Sequence, residues 1–337
     1  MRYRTFGPSG LRLSRLVLGA MTFGEDWGWG TPPQVCHRQL TRYAEAGGNV
    51  IDTANRYTDG ASERIVGELL QGERDHFVIS TKYTLSIDIG DPNASGNHRL
   101  SLVRSVDRSL RNLRTDRMDL LWVHIWDRLT PIEETMRALD DLVRAGKVLY
   151  VGMSDTPAWV VARAQALTEW RGWSPVVGIQ VPYSVVNRDV ERELLPMAAA
   201  HGISVFAWSP LAQGVLSGKF TRPGDRGATR VNPAEIAERD LAIARTVDAV
   251  ADELGASSAQ VALAWVLARG PHIHPIVGAR DEDQLADNLG AVDLDLPAEH
   301  VARLDEASAI TLGFPLDFIE ATKGFVYGDV HELVDEQ

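Results

Sequence analysis

The chain has 337 residues, 45% of them hydrophobic, with a formal net charge of −12 and one cysteine, Cys36. That is enough apolar material for a large core. The acidic balance argues against nucleic acid as a partner, and a lone cysteine excludes an intramolecular disulfide and a cysteine-based zinc cluster; no metal is expected.

Residues 1–14 carry Arg2, Arg4 and Arg12 where a secretory leader would be apolar, and no run reaches the ~20 apolar residues of a membrane span. A soluble cytoplasmic protein with no membrane partner is the expectation. Residues 3–17, turning at Pro8-Ser9-Gly10, read as a hairpin. Short, nearly continuous apolar runs then follow at 16–20, 50–53, 77–82, 119–124, 149–154, 176–181, 203–208 and 273–278. Strands of this kind are buried on both faces.

Helical patterns separate them at 35–46, 62–70, 100–113, 132–145, 159–168, 188–200 and 242–254. Cys36 falls near the start of the first, on what reads as a surface helix. Gly47-Gly48, Gly146, Gly202 and Gly255 stand where helix ends want a left-handed residue. Residues 296–310 read as a last outer helix, and 311–337 as a tail without period. Eight strand–helix units predict a (β/α)₈ TIM barrel, the hairpin plugging one end and extra C-terminal helices outside, all in one domain over 1–337. Long connections at 83–99 and 209–240 belong to the end of such a barrel where active sites form.

Four polar residues stand at or just beyond strand ends. Asp52 and Tyr57 follow the second strand, Lys82 ends the third and His124 ends the fourth. If those strands are parallel neighbours, the four side chains converge. A phenol is a weak acid at neutral pH, and a nearby ammonium favours its ionised form. A carboxylate keeps the ammonium charged and oriented, and an imidazole opposite the phenol can hold a carbonyl oxygen. The set makes a proton source beside an oxyanion site, but it contains no electron donor, so a reduction needs a cofactor.

No Gly-x-Gly-x-x-Gly run follows an early strand, which removes a Rossmann site. The later strand ends suit a nucleotide instead: Gly152-Met153-Ser154-Asp155, then 207–219 with Trp208, hydroxyls, glycines and Lys219, then 275–280 with Gly278 and Arg280 before a helix start.

With these segments in this order the chain resembles the aldo-keto reductase superfamily from about residue 4 to residue 308. The resemblance rests on Asp52-Thr53-Ala54-Asn55-Arg56-Tyr57, Lys82, His124, Ala207-Trp208-Ser209-Pro210-Leu211, and Ile276-Val277-Gly278-Ala279-Arg280 with Gln284 and Asn288. The Trp-Ser-Pro-Leu run is similar to the branch of potassium-channel β-subunits and aryl-alcohol dehydrogenases. Trp122 to Asp127 and Ser154 to Trp159 resemble the aryl-alcohol dehydrogenase-like group most.

The resemblance implies Tyr57 as general acid, tuned by Lys82 and Asp52, with His124 orienting the carbonyl. It implies Ser154 and Gln180 on the nicotinamide carboxamide and Trp208 stacked on its ring, with Ala20, Met21 and Asp52 nearby. Ser209, Pro210, Leu211, Gln213, Gly214 and Lys219 would line the pyrophosphate; Gly278, Arg280, Gln284 and Asn288 would meet the adenosine end. Asp155 replaces an asparagine common in the superfamily, and a carboxylate cannot donate as an amide can. Gly278 and Gln284 stand where many relatives are basic, leaving Arg280 to favour NADPH over NADH.

Trp27, Trp29, Trp126 and Phe314 either line an apolar substrate pocket, with Tyr57 and His124 at its floor, or pack loops against the barrel. The expected activity is NADPH-dependent reduction of an aryl or alkyl aldehyde or ketone, by a monomer or homo-oligomer. Two rivals are a slow, nucleotide-binding redox-sensing module and a Schiff-base aldolase using Lys82.

Overall fold

The structure is a computed structural model describing residues 1–223 and 229–333. Strands β1 (Tyr3–Thr5) and β2 (Arg12–Ser14) form the antiparallel hairpin. Eight parallel strands close a barrel: β3 (Val17–Gly19), β4 (Val50–Asp52), β5 (Val78–Tyr83), β6 (Met118–Val123), β7 (Val148–Ser154), β8 (Val176–Pro182), β9 (Ser204–Trp208) and β10 (Ile273–Val277), with β10 hydrogen-bonded back to β3. All eight expected strands are present, and the (β/α)₈ reading holds.

The surrounding helices are α1 (Pro33–Glu45), α2 (Ala61–Leu69), α3 (Arg99–Asn112), α4 (Ile132–Arg144), α5 (Ala158–Arg171), α6 (Leu194–Ala200), α7 (Glu238–Leu254), α8 (Ser258–Ala268), α9 (Glu282–Gly290) and α10 (Ala298–Ala307). The tail, read as aperiodic, folds into α11 (Leu316–Ala321) and α12 (Lys323–Tyr327). Its last four positions, and residues 224–228 of the long 209–240 connection, lie outside the described residues.

The barrel interior is filled, not hollow. Trp122 and Phe206 point inward and are fully buried, and Gly152 and Gly178 make room for them. A Cβ on Gly152 would sit 2.4 Å from the Trp122 ring, and one on Gly178 2.5 Å from Phe6. Phe6 enters from the hairpin and meets Phe206, His274 and Trp122 at centroid separations of 5.0, 5.6 and 6.4 Å. Burying each such ring contributes roughly 2–3 kcal/mol.

Gly7 turns the chain behind Phe6 at φ +56° and donates to Ser204 Oγ at 2.7 Å, at the N-terminal end of β9. Any larger residue there would collide with the Val177 carbonyl, 2.0 Å from its Cβ. The hairpin thus seals the N-terminal end of the barrel, and the opposite end carries the polar residues.

Two local readings need correction. Residues 188–200 are not one helix: a single turn at Asp189–Glu191 precedes α6. Pro196 explains the break, because a proline is tolerated only in a helix's first turn. Cys36 lies on α1 but is buried, donating to the Thr31 carbonyl at 3.2 Å; burial pushes its thiol up to about 12. No helix among the described residues is long and apolar enough to cross a membrane, and none of their acid, histidine or cysteine side chains cluster as metal ligands.

Candidate functional site

Parallel register brings the four expected polar residues to one end of the barrel. Asp52 closes β4 opposite Ser80 of β5, Lys82 lies near the end of β5 opposite Trp122 of β6, and His124 is the first residue beyond β6. Its backbone N–H continues the ladder to the Tyr83 carbonyl at 3.2 Å.

Tyr57 sits on the β4–α2 connection, in a tight turn whose next two residues, Thr58 and Asp59, are left-handed at φ 45° and 53°. Side chains hold that turn. Thr58 Oγ1 donates to the Phe23 carbonyl at 2.7 Å, and Ser62 Oγ donates to the Ala20 carbonyl at 2.7 Å. The phenol is therefore fixed against the loop leaving β3.

Asp52 accepts three hydrogen bonds: from Lys82 Nζ at 2.5 Å, Ser80 Oγ at 2.6 Å and Gln180 Nε2 at 3.0 Å. A buried carboxylate needs such partners. Lys82 also donates to the Thr53 carbonyl at 2.8 Å and lies 4.6 Å from the Tyr57 ring centroid. Burial alone would lower the Lys82 pKa; Asp52 and then Tyr57 reverse this and hold it above the ordinary value.

Burial raises the Tyr57 pKa by more than Lys82 pulls it down, so the phenol carries its proton at neutral pH. His124 meets Tyr57 edge-on, centroids 5.9 Å apart at 83°. Burial and then the Lys82 charge push its pKa down to about 3, which leaves the imidazole neutral. Its Nδ1 has no partner among the described residues.

On the next strand ends lie Ser154, Gln180 and Trp208, on β7, β8 and β9. Trp208, Tyr57 and His124 are each half-buried, so part of each side chain remains open to solvent. Asp155, left-handed at φ 40°, accepts from the Trp208 indole at 3.1 Å. Water reaches it, yet protein surrounds it on most sides, and that desolvation raises its pKa against the pull of Trp208 and Lys82. A cavity of about 760 Å³ opens beside Trp208, with Ser209, Gln213 and Val215 in its wall; Tyr57 and His124 do not line it.

The other expected binding residues are arranged locally. The Ala20 N–H donates to the Asp52 carbonyl at 2.8 Å, with the half-buried Met21 next to it. Ser209 and Gln213 have positive φ of 54° and 57°, and Ser209 Oγ accepts from the Gln213 N–H at 3.2 Å. Pro210, Leu211, Gly214 and Lys219 lie on the same connection. Beyond β10, Gln284 Oε1 accepts from the Arg280 N–H at 3.1 Å, and Asn288 Nδ2 donates to the Gly278 carbonyl at 3.5 Å.

The tryptophans divide into two pairs. Trp27 packs on Trp29 at 5.6 Å, and Trp126 meets Trp159 at 5.5 Å. Phe314 is 87% exposed and lies beside the Phe318 ring, centroids 6.4 Å apart.

One residue the sequence did not single out belongs here. Arg230, on the connection after β9, stacks over the Trp29 ring at 5.0 Å. Desolvation and the nearby Arg280 both lower its pKa. Neither arginine has a carboxylate within ion-pairing distance among the described residues. Two cations brought together in this way suit an anionic group of a nucleotide.

Comparison with known proteins agrees with this geometry. The model of the aldo/keto reductase family matches residues 15–309. Norsolorinic acid reductase A of Aspergillus parasiticus is 37% identical over 333 residues, covering 95% of this chain and 84% of that protein. An NADP(+) aryl-alcohol dehydrogenase of Phanerodontia chrysosporium is 36% identical over 354 aligned positions, covering 98% and 91%. An aryl-alcohol dehydrogenase of Pestalotiopsis microspora is 37% identical over 328 residues, covering 94% and 85%.

Barrel, site and relatives together define an oxidoreductase acting on carbonyl and alcohol groups of small molecules with a nicotinamide cofactor. The chain belongs to the aldo/keto reductase family, in agreement with the resemblance seen in its motifs.

Proposed function

We propose that this single-domain, cytoplasmic enzyme reduces an aryl or alkyl aldehyde or ketone with NADPH, and that Tyr57 supplies the proton. The observation that carries this reading is the buried Asp52–Lys82 pair set 4.6 Å from the Tyr57 ring, with a neutral imidazole at the ring's edge. When bound, the nicotinamide supplies the hydride. The protein's own work is to hold the carbonyl and deliver a proton to its oxygen.

Tyr57 is protonated at rest and donates its O–H to the oxygen as negative charge builds there. Lys82 stabilises the phenolate left behind, and Asp52 keeps Lys82 cationic in a site that would otherwise discharge it. His124, neutral, donates one N–H to the same oxygen and fixes the carbonyl without competing as an acid. Ser154 and Gln180 would hold the carboxamide, and Trp208 would stack on the ring.

Arg230 and Arg280 hold the 2′-phosphate, which favours NADPH over NADH although Gly278 and Gln284 carry no charge. The names of the relatives support an aromatic carbonyl substrate, and the Trp27–Trp29 and Trp126–Trp159 pairs offer flat apolar walls for it.

The test is Tyr57→Phe. Turnover of an aldehyde panel should fall by roughly 10²–10⁴-fold, while NADPH affinity, read from tryptophan fluorescence, stays within about twofold. Retained turnover would remove Tyr57 from this role. A wild-type protein that binds NADPH but turns over no member of the panel would favour the redox-sensing reading instead.

A further inference from the structure

Asp155 stands apart from the other site residues because no cation among the described residues forms an ion pair with it. Asp52 and Lys82 neutralise each other at 2.5 Å, and Tyr57 and His124 are uncharged. Asp155 is the first residue beyond β7, in a left-handed conformation that an aspartate tolerates better than most side chains. Its backbone N–H donates to the Gln180 carbonyl at 3.2 Å, and its Oδ1 accepts from Trp208 Nε1 at 3.1 Å, across the intervening strand β8.

Its second oxygen, Oδ2, accepts from no other described residue, and the side chain is exposed to solvent. Lys82 and Tyr57 both feel its charge. A ring that stacks on Trp208 and also reaches a carbonyl held at Tyr57 must therefore lie beside this carboxylate.

We propose that Asp155 sets the oxidation-state preference of the nucleotide site, its fixed negative charge favouring the cationic oxidised nicotinamide over the neutral reduced one. This rests on the nucleotide reading above. The two forms of the cofactor differ in charge only at the ring, so their affinity ratio isolates the effect. A unit charge acting across a partly hydrated gap of about 6 Å, at an effective dielectric constant of roughly 40, shifts that ratio by about tenfold. The feature that the sequence showed as a departure from the usual asparagine thus has a physical consequence beyond the lost donor.

The experiment uses Asp155→Asn, whose side-chain carbonyl can still accept from the Trp208 indole. Purified wild type and variant are titrated at pH 8 with NADP⁺, NADPH and 2′-phospho-ADP-ribose, which lacks the nicotinamide, using tryptophan fluorescence. The variant should lose about tenfold in NADP⁺ affinity and hold NADPH and 2′-phospho-ADP-ribose within about twofold. An unchanged NADP⁺/NADPH ratio overturns the proposal. So does equal weakening of all three ligands, which would mark Asp155 as structural. A wild type that binds 2′-phospho-ADP-ribose but neither full cofactor would overturn the underlying nicotinamide reading and the proposal with it.

Discussion

Replacing Asp52 with asparagine removes one charge from a buried pair and nearly nothing from its shape. Lys82 would keep the Thr53 carbonyl at 2.8 Å and at most a neutral amide oxygen where the carboxylate stood at 2.5 Å. An uncompensated buried charge typically costs about 3–5 kcal/mol. The protein can escape that cost by releasing the Lys82 proton, which at pH 7 takes about 3.4 pH units from a reference of ~10.4, or about 4.6 kcal/mol. That value is the ceiling on the electrostatic loss at pH 7. At pH 9 the same ceiling is about 1.9 kcal/mol.

The sign follows from proton counts. In the wild type the folded-state pKa of Lys82 is raised, so its contribution is fully present below ~10.4 and is lost only as pH rises through the higher folded value. In the variant, burial depresses the pKa. The unfolded state then holds more protons than the native one, and the variant's stability rises with pH. Urea unfolding followed by tryptophan fluorescence should therefore give a wild-type-to-variant gap of about 3–4 kcal/mol at pH 7, shrinking by half or more at pH 9. A gap that is equal at both pH values, or below about 1 kcal/mol at pH 7, would refute the dependence of the Lys82 charge on Asp52.

Two further outcomes follow from the same geometry. With His124 pushed down to about 3, kcat/KM between pH 5 and 8 should show no step near the ordinary histidine value of ~6.5. The unfolded chain takes up that proton first, so stability falls as pH drops from ~6.5 towards 3, and His124→Gln should reduce that acid loss by up to about 2.7 kcal/mol in urea titrations at pH 4.5. Arg230→Met should weaken NADPH about tenfold in fluorescence titration and leave NADH unchanged; an equal loss for both would mean that Arg230 only closes the connection over the ligand.

The strands were legible because parallel strands buried on both faces must be continuously apolar, and the four-residue site followed from their shared direction. Helix α8 was not legible by periodicity. It is wedged between α7, α9 and β10 and is buried nearly all round, so it has no polar face to mark it. Its signal was the capping box of Ser257 and Gln260. The break before α6 was written in Pro196, but 188–200 looked helical because Arg188 and Glu191 stand at helical spacing, 2.8 Å apart, while the Tyr183 hydroxyl that holds Glu191 at 2.7 Å comes from outside the segment. Arg230 escaped notice for a different reason. It lies 50 positions from Arg280 on an aperiodic connection, and only chain closure over the barrel end makes the two neighbours. Trp27, Trp29 and Trp126 could be placed at the mouth from sequence, but their pairing could not.

The Phe6 plug gives the barrel a floor. With the interior solid behind it, ligands can approach only the opposite, polar end, so a phenylalanine far from the chemistry helps decide on which face of the molecule that chemistry takes place.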